Sequence, residues 1–256
     1  MNLCVDVGNT TIGVGFFKEE TLLKKIVYTI DLKRTKDEYI SVIKRALSEN
    51  SLDAREISNI IISSVVPSIN GELSKALEEV FSVKPMMIAP GIKTGLIVHV
   101  DNPSEIGNDL IAVMVGVKDK YSYPCLIADL GTASKILLID KSGAFTTCTI
   151  MPGLSISAST LTNKTALLPE VSFVEPKTVL AKNTVDAINA GVIYGHADMI
   201  DGLIRRFEKE LGYKCKHILT GGGSIFIKNV VQEQYIYDPD ICLYGLNRII
   251  MRNEER

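Results

Sequence analysis

The sequence predicts an α/β protein built from two halves that repeat the same order of strands and helices. Apolar, strand-like runs alternate along the chain with segments of helical periodicity. The motif Asp-x-Gly, followed by Asn or Thr, closes the first strand of each half, at Asp6 and at Asp129. The length of 256 residues lies between one and two domains of about 150 residues each. We therefore expect two domains, residues 1–117 and residues 118–256.

Composition and charge exclude several classes of protein. Hydrophobic residues make up 46% of the chain, charged residues make up 23%, and the formal net charge is −2. A dedicated nucleic-acid binder would carry a basic patch, so no nucleic-acid partner is expected. No apolar run is long enough to span a membrane, and the N-terminus lacks the pattern of a signal peptide. Five scattered cysteines indicate reduced thiols in a cytoplasmic protein, and the three histidines lack metal-ligand spacing.

The first half begins with a predicted three-stranded meander. Short turns join three β-like runs, at residues 3–7, 11–17 and 22–30. Thr35 and Glu38 then form the pattern of a capping box at the start of a helix.

A second strand and helix pair follows in the first half. Residues 60–65 form a short apolar run that predicts a buried strand, followed by a helical stretch through Leu73 and Leu77. The sequence Asn-Pro-Ser-Glu at 102–105 predicts the start of the next helix, with Asn102 as its N-cap.

The second half repeats this pattern. Its predicted elements are a buried strand at 125–130, a hairpin of 134–139 and 145–150, a long helix from Asn183, a strand at 217–220 and a last helix around 246–251.

Two turns carry residue types that bind nucleotide phosphates. At Asp6–Thr10 a carboxylate is followed by a glycine that lets a phosphate approach the backbone, and then by amide and hydroxyl donors. One such turn is better explained as a tight hairpin. Its repetition at Asp129–Ala133 favours phosphate binding in a cleft, to which the glycines after Thr220 would add a third loop.

Asp109 is the candidate catalytic residue of the first half. It lies on the apolar face of the helix predicted from Asn102, where a carboxylate is costly unless it is paired, hydrogen-bonded or functional. A structural aspartate near the positive end of a helix explains the same position. The residues alone leave both interpretations open.

Seven motifs occur in the order of a known family. They are DVGNT, NPSEIGND, DLGTA, IMPGL, TALLP, KNTVDAINAG and TGGG. Over nearly the whole chain they resemble the type III pantothenate kinases of the acetate and sugar kinase/Hsp70/actin superfamily. The resemblance implies two ribonuclease-H-like (actin-like ATPase) domains with a nucleotide cleft between them, and a homodimer with its active sites at the subunit interface. It also implies ATP-dependent phosphorylation of pantothenate to 4′-phosphopantothenate, the first step of coenzyme A biosynthesis, with Mg²⁺ and with K⁺ or NH₄⁺.

The resemblance implies a role for each matched position. The ATP-binding positions are Asp6, Val7, Gly8, Asn9, Thr10, Thr11, Ile12, Gly13 and Thr132. The pantothenate-binding positions are Gly107, Asn108, Asp109, Leu110 and Thr184. Asp109 would accept the proton of the attacking hydroxyl, Asp129 would bind K⁺, and Asp6 would bind the Mg²⁺ of ATP.

Several positions depart from the family pattern. Leu110 replaces an arginine, Ser134 and Lys135 replace two threonines, Thr147 and Cys148 replace two glycines, and Val100 replaces a tyrosine. Lys135 could supply a positive charge near the phosphates, or it could be a solvated hairpin lysine. These departures motivate an alternative, a non-catalytic homologue that acts as a nucleotide-binding sensor or a regulatory accessory factor.

Gly191 and Gly195 form a smooth strip on the long helix that begins near Asn183. The strip could pack against another helix of the same chain or against a second subunit. The resemblance favours the second subunit.

Overall fold

Two mixed β-sheets form the framework of the computed structural model, which describes residues 1–254. In chain order the strands are β1 (Asn2–Val7), β2 (Thr11–Lys18), β3 (Thr21–Thr29), β4 (Asn59–Ser64), β5 (Met86–Met87), β6 (Ile97–Val98), β7 (Cys125–Leu130), β8 (Ala133–Ile139), β9 (Ala144–Pro152), β10 (Lys216–Thr220) and β11 (Ile236–Tyr237). The helices are α1 (Lys36–Glu49), α2 (Pro67–Phe81), α3 (Asn108–Lys120), α4 (Leu154–Lys164), α5 (Thr184–Leu211), α6 (Ser224–Ile227) and α7 (Ile241–Glu254).

The two sheets share one topology, which confirms the predicted duplication. The first has the order β3-β2-β1-β4-β5, and the second contains the matching series β9-β8-β7-β10-β11, with β6 added beyond β9. β1 and β7 each pair antiparallel with the strand that follows them in the chain and parallel with the strand on their other side. The Asp-x-Gly turns therefore occupy the same place in each sheet.

The first unit buries both faces of its sheet. Leu3, Val5 and Val7 pack on α1 and α2, whereas Cys4 packs on α3 and α7. Successive residues of a strand point to opposite faces, so a strand covered on both sides must be apolar throughout. The predicted capping box at the start of α1 is confirmed, because Thr35 and Glu38 each bond the other's backbone.

The second unit places α4 and α5 on one face of its sheet. Leu126, Ala128 and Leu130 of β7 lie in the same apolar cluster as residues of both helices. The predicted start of α5 is confirmed, since the Asn183 side chain accepts a hydrogen bond from the backbone N–H of Asp186 (2.9 Å).

The helix predicted from Asn102 begins six residues later, at Asn108. Residues 103–105 form one 3-10 turn, and Ile106 then adopts an extended conformation that interrupts the helical path. Asn102 makes no side-chain cap; its amide group donates to Glu105 Oε1 instead (2.7 Å). Asp109 consequently lies in the first turn of α3, not two turns inside a helix.

The division of the chain into units differs from a single boundary near residue 118. The first unit contains residues 1–96, 102–120 and the C-terminal segment from 241, and the second contains residues 97–101 and 121–240. β6 lies in the second unit because it pairs with β9, and α7 lies in the first because it packs on α3. Over residues 1–254, no helix combines the length and apolar character needed to cross a membrane.

Contact between α3 and α7 depends on two glycines. A Cβ on Gly245 would overlap the carbonyl oxygen of Ala112, and a Cβ on Gly116 would overlap the carbonyl oxygen of Ile241. The two helix backbones therefore touch directly.

We expect Gly245→Ala to destabilise the protein by about 1–3 kcal/mol, because the new methyl group forces the helices apart. Gly71→Ala in α2 is the matched control. A Cβ at residue 71 meets nothing within 4 Å, so the same change should stabilise the helix by about 0.5–1 kcal/mol. Urea unfolding of both variants measures the two effects. Equal stability changes in the two variants would contradict the close contact.

Candidate active site

The first turn, between β1 and β2, exposes polar groups at its tip, whereas the apolar side chains at the strand ends below it are buried. Asp6 pairs with Gly13 across β1 and β2, and the Gly8 N–H donates to the Thr11 carbonyl oxygen (2.9 Å). Val7 and Ile12 are buried, so their side chains belong to the core. The tip of the turn is exposed, with two hydroxyls and one carboxamide, at Asn9, Thr10 and Thr11. The tip, the adjoining backbone and the half-buried Asp6 can therefore meet a ligand.

Hydrogen bonds place the start of α3 at the same sheet edge. The Val65 N–H donates to the Val7 carbonyl oxygen (3.0 Å), which joins the ends of β1 and β4. The Asn108 side-chain amide contacts the carbonyl oxygen of Ser64 (3.5 Å) at the end of β4. The first turn and the N-terminus of α3 are therefore neighbours within the first unit. The positive end of the α3 dipole favours an anionic group there.

Asp109 folds back over Gly107. Its Oδ1 atom lies 2.5 Å from the place that a Cβ on residue 107 would occupy. Only glycine leaves room for the carboxylate in this position. Asp109 is half-buried, whereas the neighbouring Leu110 is buried and its side chain takes part in packing. The structure thus brings the predicted stretch 107–110 beside the first turn and presents one ionisable group from it.

The second turn carries an ion pair. Asp129 ends β7 and pairs across the hairpin with Lys135 of β8. The Lys135 ammonium lies 3.6 Å from Asp129 Oδ2, and the two side chains are only 17% and 11% exposed. Thr132 is exposed at the tip of the turn. A carboxylate, an ammonium and a hydroxyl therefore occupy one short hairpin.

Glycines from two other segments press against the second turn. The Gly153 N–H donates to the Thr132 carbonyl oxygen (3.1 Å), and the Gly223 N–H donates to the Leu130 carbonyl oxygen (2.7 Å). Gly221 has a φ of +85°, and a Cβ there would lie 2.7 Å from Asp129 Oδ1. The structure therefore places the predicted glycine loop directly beside Asp129.

Ser134 and His196 form a buried pair to which the sequence analysis assigned no role. Ser134 Oγ and His196 Nε2 share a hydrogen bond (2.8 Å) that joins β8 to α5. Burial lowers the pKa of His196, which favours the neutral imidazole. The signal in the sequence is a histidine on the apolar face of α5, four residues after Val192.

A groove of about 500 Å³ runs along α4 and α5. Its lining residues include Ser157, Leu161, Thr184, Gly191, Gly195 and His196. A Cβ on either groove glycine would meet nothing within 4 Å. The predicted smooth strip is therefore open within this chain.

Thr184 lies far from the second turn of its own chain. It is exposed at the start of α5, twelve residues before His196, and an α-helix rises about 18 Å over that distance. Within one chain, Thr184 therefore does not lie beside the pair of Ser134 and His196.

The described chain offers little to a metal ion by itself. Within residues 1–254 there is no group of three or more His, Cys, Asp or Glu side chains that could hold one. A Mg²⁺ ion beside Asp6 would therefore take most of its ligands from phosphate oxygens and water, which is usual for this ion. At Asp129, the Lys135 ammonium lies where a K⁺ ligated by that carboxylate would approach, so the residues fit K⁺ poorly.

The sequence and fold have clear relatives. The family model described as "Type III pantothenate kinase" matches residues 2–206. Type III pantothenate kinases of Exiguobacterium sibiricum and Halalkalibacterium halodurans are 37% and 34% identical to this chain, over 99% of it and 100% of each relative. A Campylobacter jejuni structure described as a Baf family transcriptional activator matches with a TM-score of 0.60 at 18% identity, over 99% of this chain and 100% of that one. This last likeness concerns the fold alone. On the sequence evidence, the chain belongs to the type III pantothenate kinase family.

Proposed function

We propose that this protein phosphorylates pantothenate at the expense of ATP, giving 4′-phosphopantothenate, the first intermediate of coenzyme A biosynthesis. Family membership over nearly the full chain supports the substrate. The observation that carries the mechanism is the Asp109 carboxylate in the first turn of α3, beside the Asp6–Gly13 turn. This carboxylate favours the kinase over the alternative of a non-catalytic homologue, which would bind nucleotide at the first turn but would need no base beside it.

The proposed reaction is a direct phosphoryl transfer. The primary hydroxyl oxygen of pantothenate bonds to the γ-phosphorus of ATP, the bond from that phosphorus to the bridging oxygen breaks, and ADP leaves. Asp109 accepts the hydroxyl proton. Positioning and charge stabilisation contribute most of the rate in this chemistry, and the base adds to them.

The first turn supplies the phosphate contacts of the first unit. We assign ATP binding to the backbone of residues 6–13 and to the exposed hydroxyls of Thr10 and Thr11. Asp6 lies on the sheet face that packs against α3, because it shares that face with Cys4. It would hold Mg²⁺, which neutralises phosphate charge when it is bound. In the second unit we assign a phosphate contact to Thr132.

We further propose a homodimer that uses the groove along α4 and α5. Apolar side chains of α4 and of the segment that follows it are exposed, among them Ile156 (39%), Leu161 (38%) and Leu167 (91%). Exposed apolar side chains in one region are typical of a subunit contact. The open glycine strip would allow close approach of the partner. Thr184 of one subunit would then help to complete the active site of the other. The cysteines of the chain are free, which supports a reducing, cytoplasmic location.

Asp109→Asn should lower kcat by about 10²–10⁴, the usual contribution of a general base. ATP binding should persist, because the first turn is unchanged. Coupled measurement of ADP formation with pantothenate, ATP and Mg²⁺ tests the first point, and ATP titration tests the second. Asp101→Asn, at an exposed position upstream, should leave both unchanged. Wild-type turnover in Asp109→Asn would rule out the assignment.

Gly107→Ala should lower kcat while leaving stability nearly unchanged. The new methyl group meets only the Asp109 carboxylate, which can swing aside without disturbing the backbone. The base would then be misplaced, and misplacement of about 1 Å can cost about 10² in rate. Turnover and urea unfolding, measured on the same preparation, separate the two effects. Unchanged turnover would show that the folded-back position of Asp109 has no catalytic role.

Gly195→Leu should dissociate the dimer and abolish activity together, since overpacking of about 1–3 kcal/mol would fall on the contact. Sedimentation velocity and turnover measure the two consequences. Gly202→Leu is the control on the same helix: it lies outside the groove lining, and its Cβ would approach only the Arg205 side chain, at 4.0 Å. A fully active monomer would refute both the dimer and the shared site.

A further inference from the structure

We propose that the ammonium group of Lys135 takes the place of a monovalent cation at Asp129, so that phosphoryl transfer by this protein needs neither K⁺ nor NH₄⁺. The proposal rests on the kinase function proposed above. It concerns Asp129, where the family resemblance implies a K⁺ ion but the neighbouring side chain of this protein already carries a positive charge.

The hairpin holds the two charged groups together. Asp129 and Lys135 are direct partners in the antiparallel pairing of β7 and β8. Directly opposed residues of such a pair extend from the same face of the sheet, with their side chains in reach of each other. The turn between them is closed by a hydrogen bond from the Gly131 N–H to the Ala133 carbonyl oxygen (3.2 Å). The ion pair is thus set by backbone register.

Burial separates this pair from an ordinary surface salt bridge. The side chains of Lys135 and Asp129 retain 17% and 11% of their exposure, so both have lost most of their contact with water. A carboxylate in this position is costly without a positive partner. Lys135 meets that need from within the chain, and a second cation at the same carboxylate would be repelled by the ammonium.

Both charges of the ion pair act on the pKa of a neighbouring thiol, that of Cys148. Burial raises the pKa of Cys148 on β9, while the positive charge of Lys135 lowers it and the negative charge of Asp129 raises it. Both charges therefore act on the sheet face that carries Cys148. Ser134, next to Lys135 in sequence, points to the opposite face and bonds His196. The lysine is consequently directed away from α5 and towards the carboxylate.

The duplicated first turn provides an internal comparison. There the residue opposite Asp6 is Gly13, and a Cβ on it would lie 4.0 Å from the nearest atom, the Asp6 carbonyl oxygen. The hairpin position that carries an ammonium group opposite Asp129 therefore carries no side chain opposite Asp6. An ammonium has three N–H donors, so it can pair with a carboxylate and still donate to a phosphate oxygen.

The test compares kcat and ATP affinity in buffers whose only monovalent cation is Na⁺ or K⁺. Wild-type enzyme should have the same values in both. Lys135→Thr should lose about 10² in kcat in Na⁺, the usual effect of removing one group that stabilises developing charge. It should regain most of that loss in K⁺ or NH₄⁺, because the ion can then occupy the place beside Asp129. ATP affinity, measured by isothermal titration, should follow the same pattern without depending on turnover.

Two controls isolate the charge from the fold. Lys135→Arg keeps the positive charge and should remain independent of K⁺. Lys141→Thr removes an exposed lysine from the turn between β8 and β9 and should change neither quantity. Circular dichroism checks that each variant is folded. If Lys135→Thr does not fold, Lys135→Met, which keeps the apolar part of the side chain, replaces it in the same measurements.

Three results would overturn the proposal. They are a wild-type enzyme active only in K⁺ or NH₄⁺, a folded neutral variant with unchanged kcat in Na⁺, and a folded neutral variant that does not respond to K⁺. Absence of ADP formation by the wild type in every salt would instead contradict the kinase function. ATP affinity in the two salts would then still decide the role of Lys135.

Discussion

Antiparallel pairing of β1 with β2 and of β7 with β8 fixes the places of Asp6, Asp129 and Lys135. The register sets Asp6 opposite Gly13 and Asp129 opposite Lys135. Moving either strand by one residue would turn each aspartate to the other face of its sheet, into the apolar cluster that packs on the helices there. Apolar burial is therefore what holds the register, and the register is what positions the carboxylates. Stability and chemistry depend on the same pairing.

Close backbone contacts then complete each candidate site. In the second unit, the glycine loop and Gly153 bond the turn after Asp129 through main-chain groups, so no side chain intervenes. In the first unit, contact of α3 with α7 at Gly116 and Gly245 holds the helix whose first turn carries Asp109. The C-terminal helix thus supports the helix of the proposed catalytic residue, which lies more than 130 positions earlier in the chain. A fragment ending near residue 118 would lack this support.

Local signals in the sequence predicted most of the fold. Strand boundaries, the capping box at Thr35 and the start of α5 at Asn183 depend on neighbouring residues, and the structure confirms them. The helix start at Asn102 was wrong because Ile106 is extended, so the helix begins only after Gly107. The place of α7 in the first unit depends on a contact between distant segments, which periodicity does not report. α4 was missed because its serines and threonines obscure a helical pattern.

The sequence predicted which residues belong to the candidate site, but not that Lys135 forms an ion pair with Asp129. Motifs selected both turns and Asp109, yet the sequence left two explanations for Lys135, a charge near the phosphates or a solvated hairpin side chain. Hairpin register and burial favour the first, because a solvated lysine would not retain only 17% of its exposure beside a carboxylate.

A carboxylate close to a phosphate raises the energy of a bound nucleotide unless a cation lies with it. The residue opposite the aspartate differs between the two turns: it is Gly13 opposite Asp6 and Lys135 opposite Asp129. Under the proposal made above, duplication supplied two equivalent carboxylates, and the residue across each hairpin decides whether the counter-ion belongs to the chain or arrives with the nucleotide.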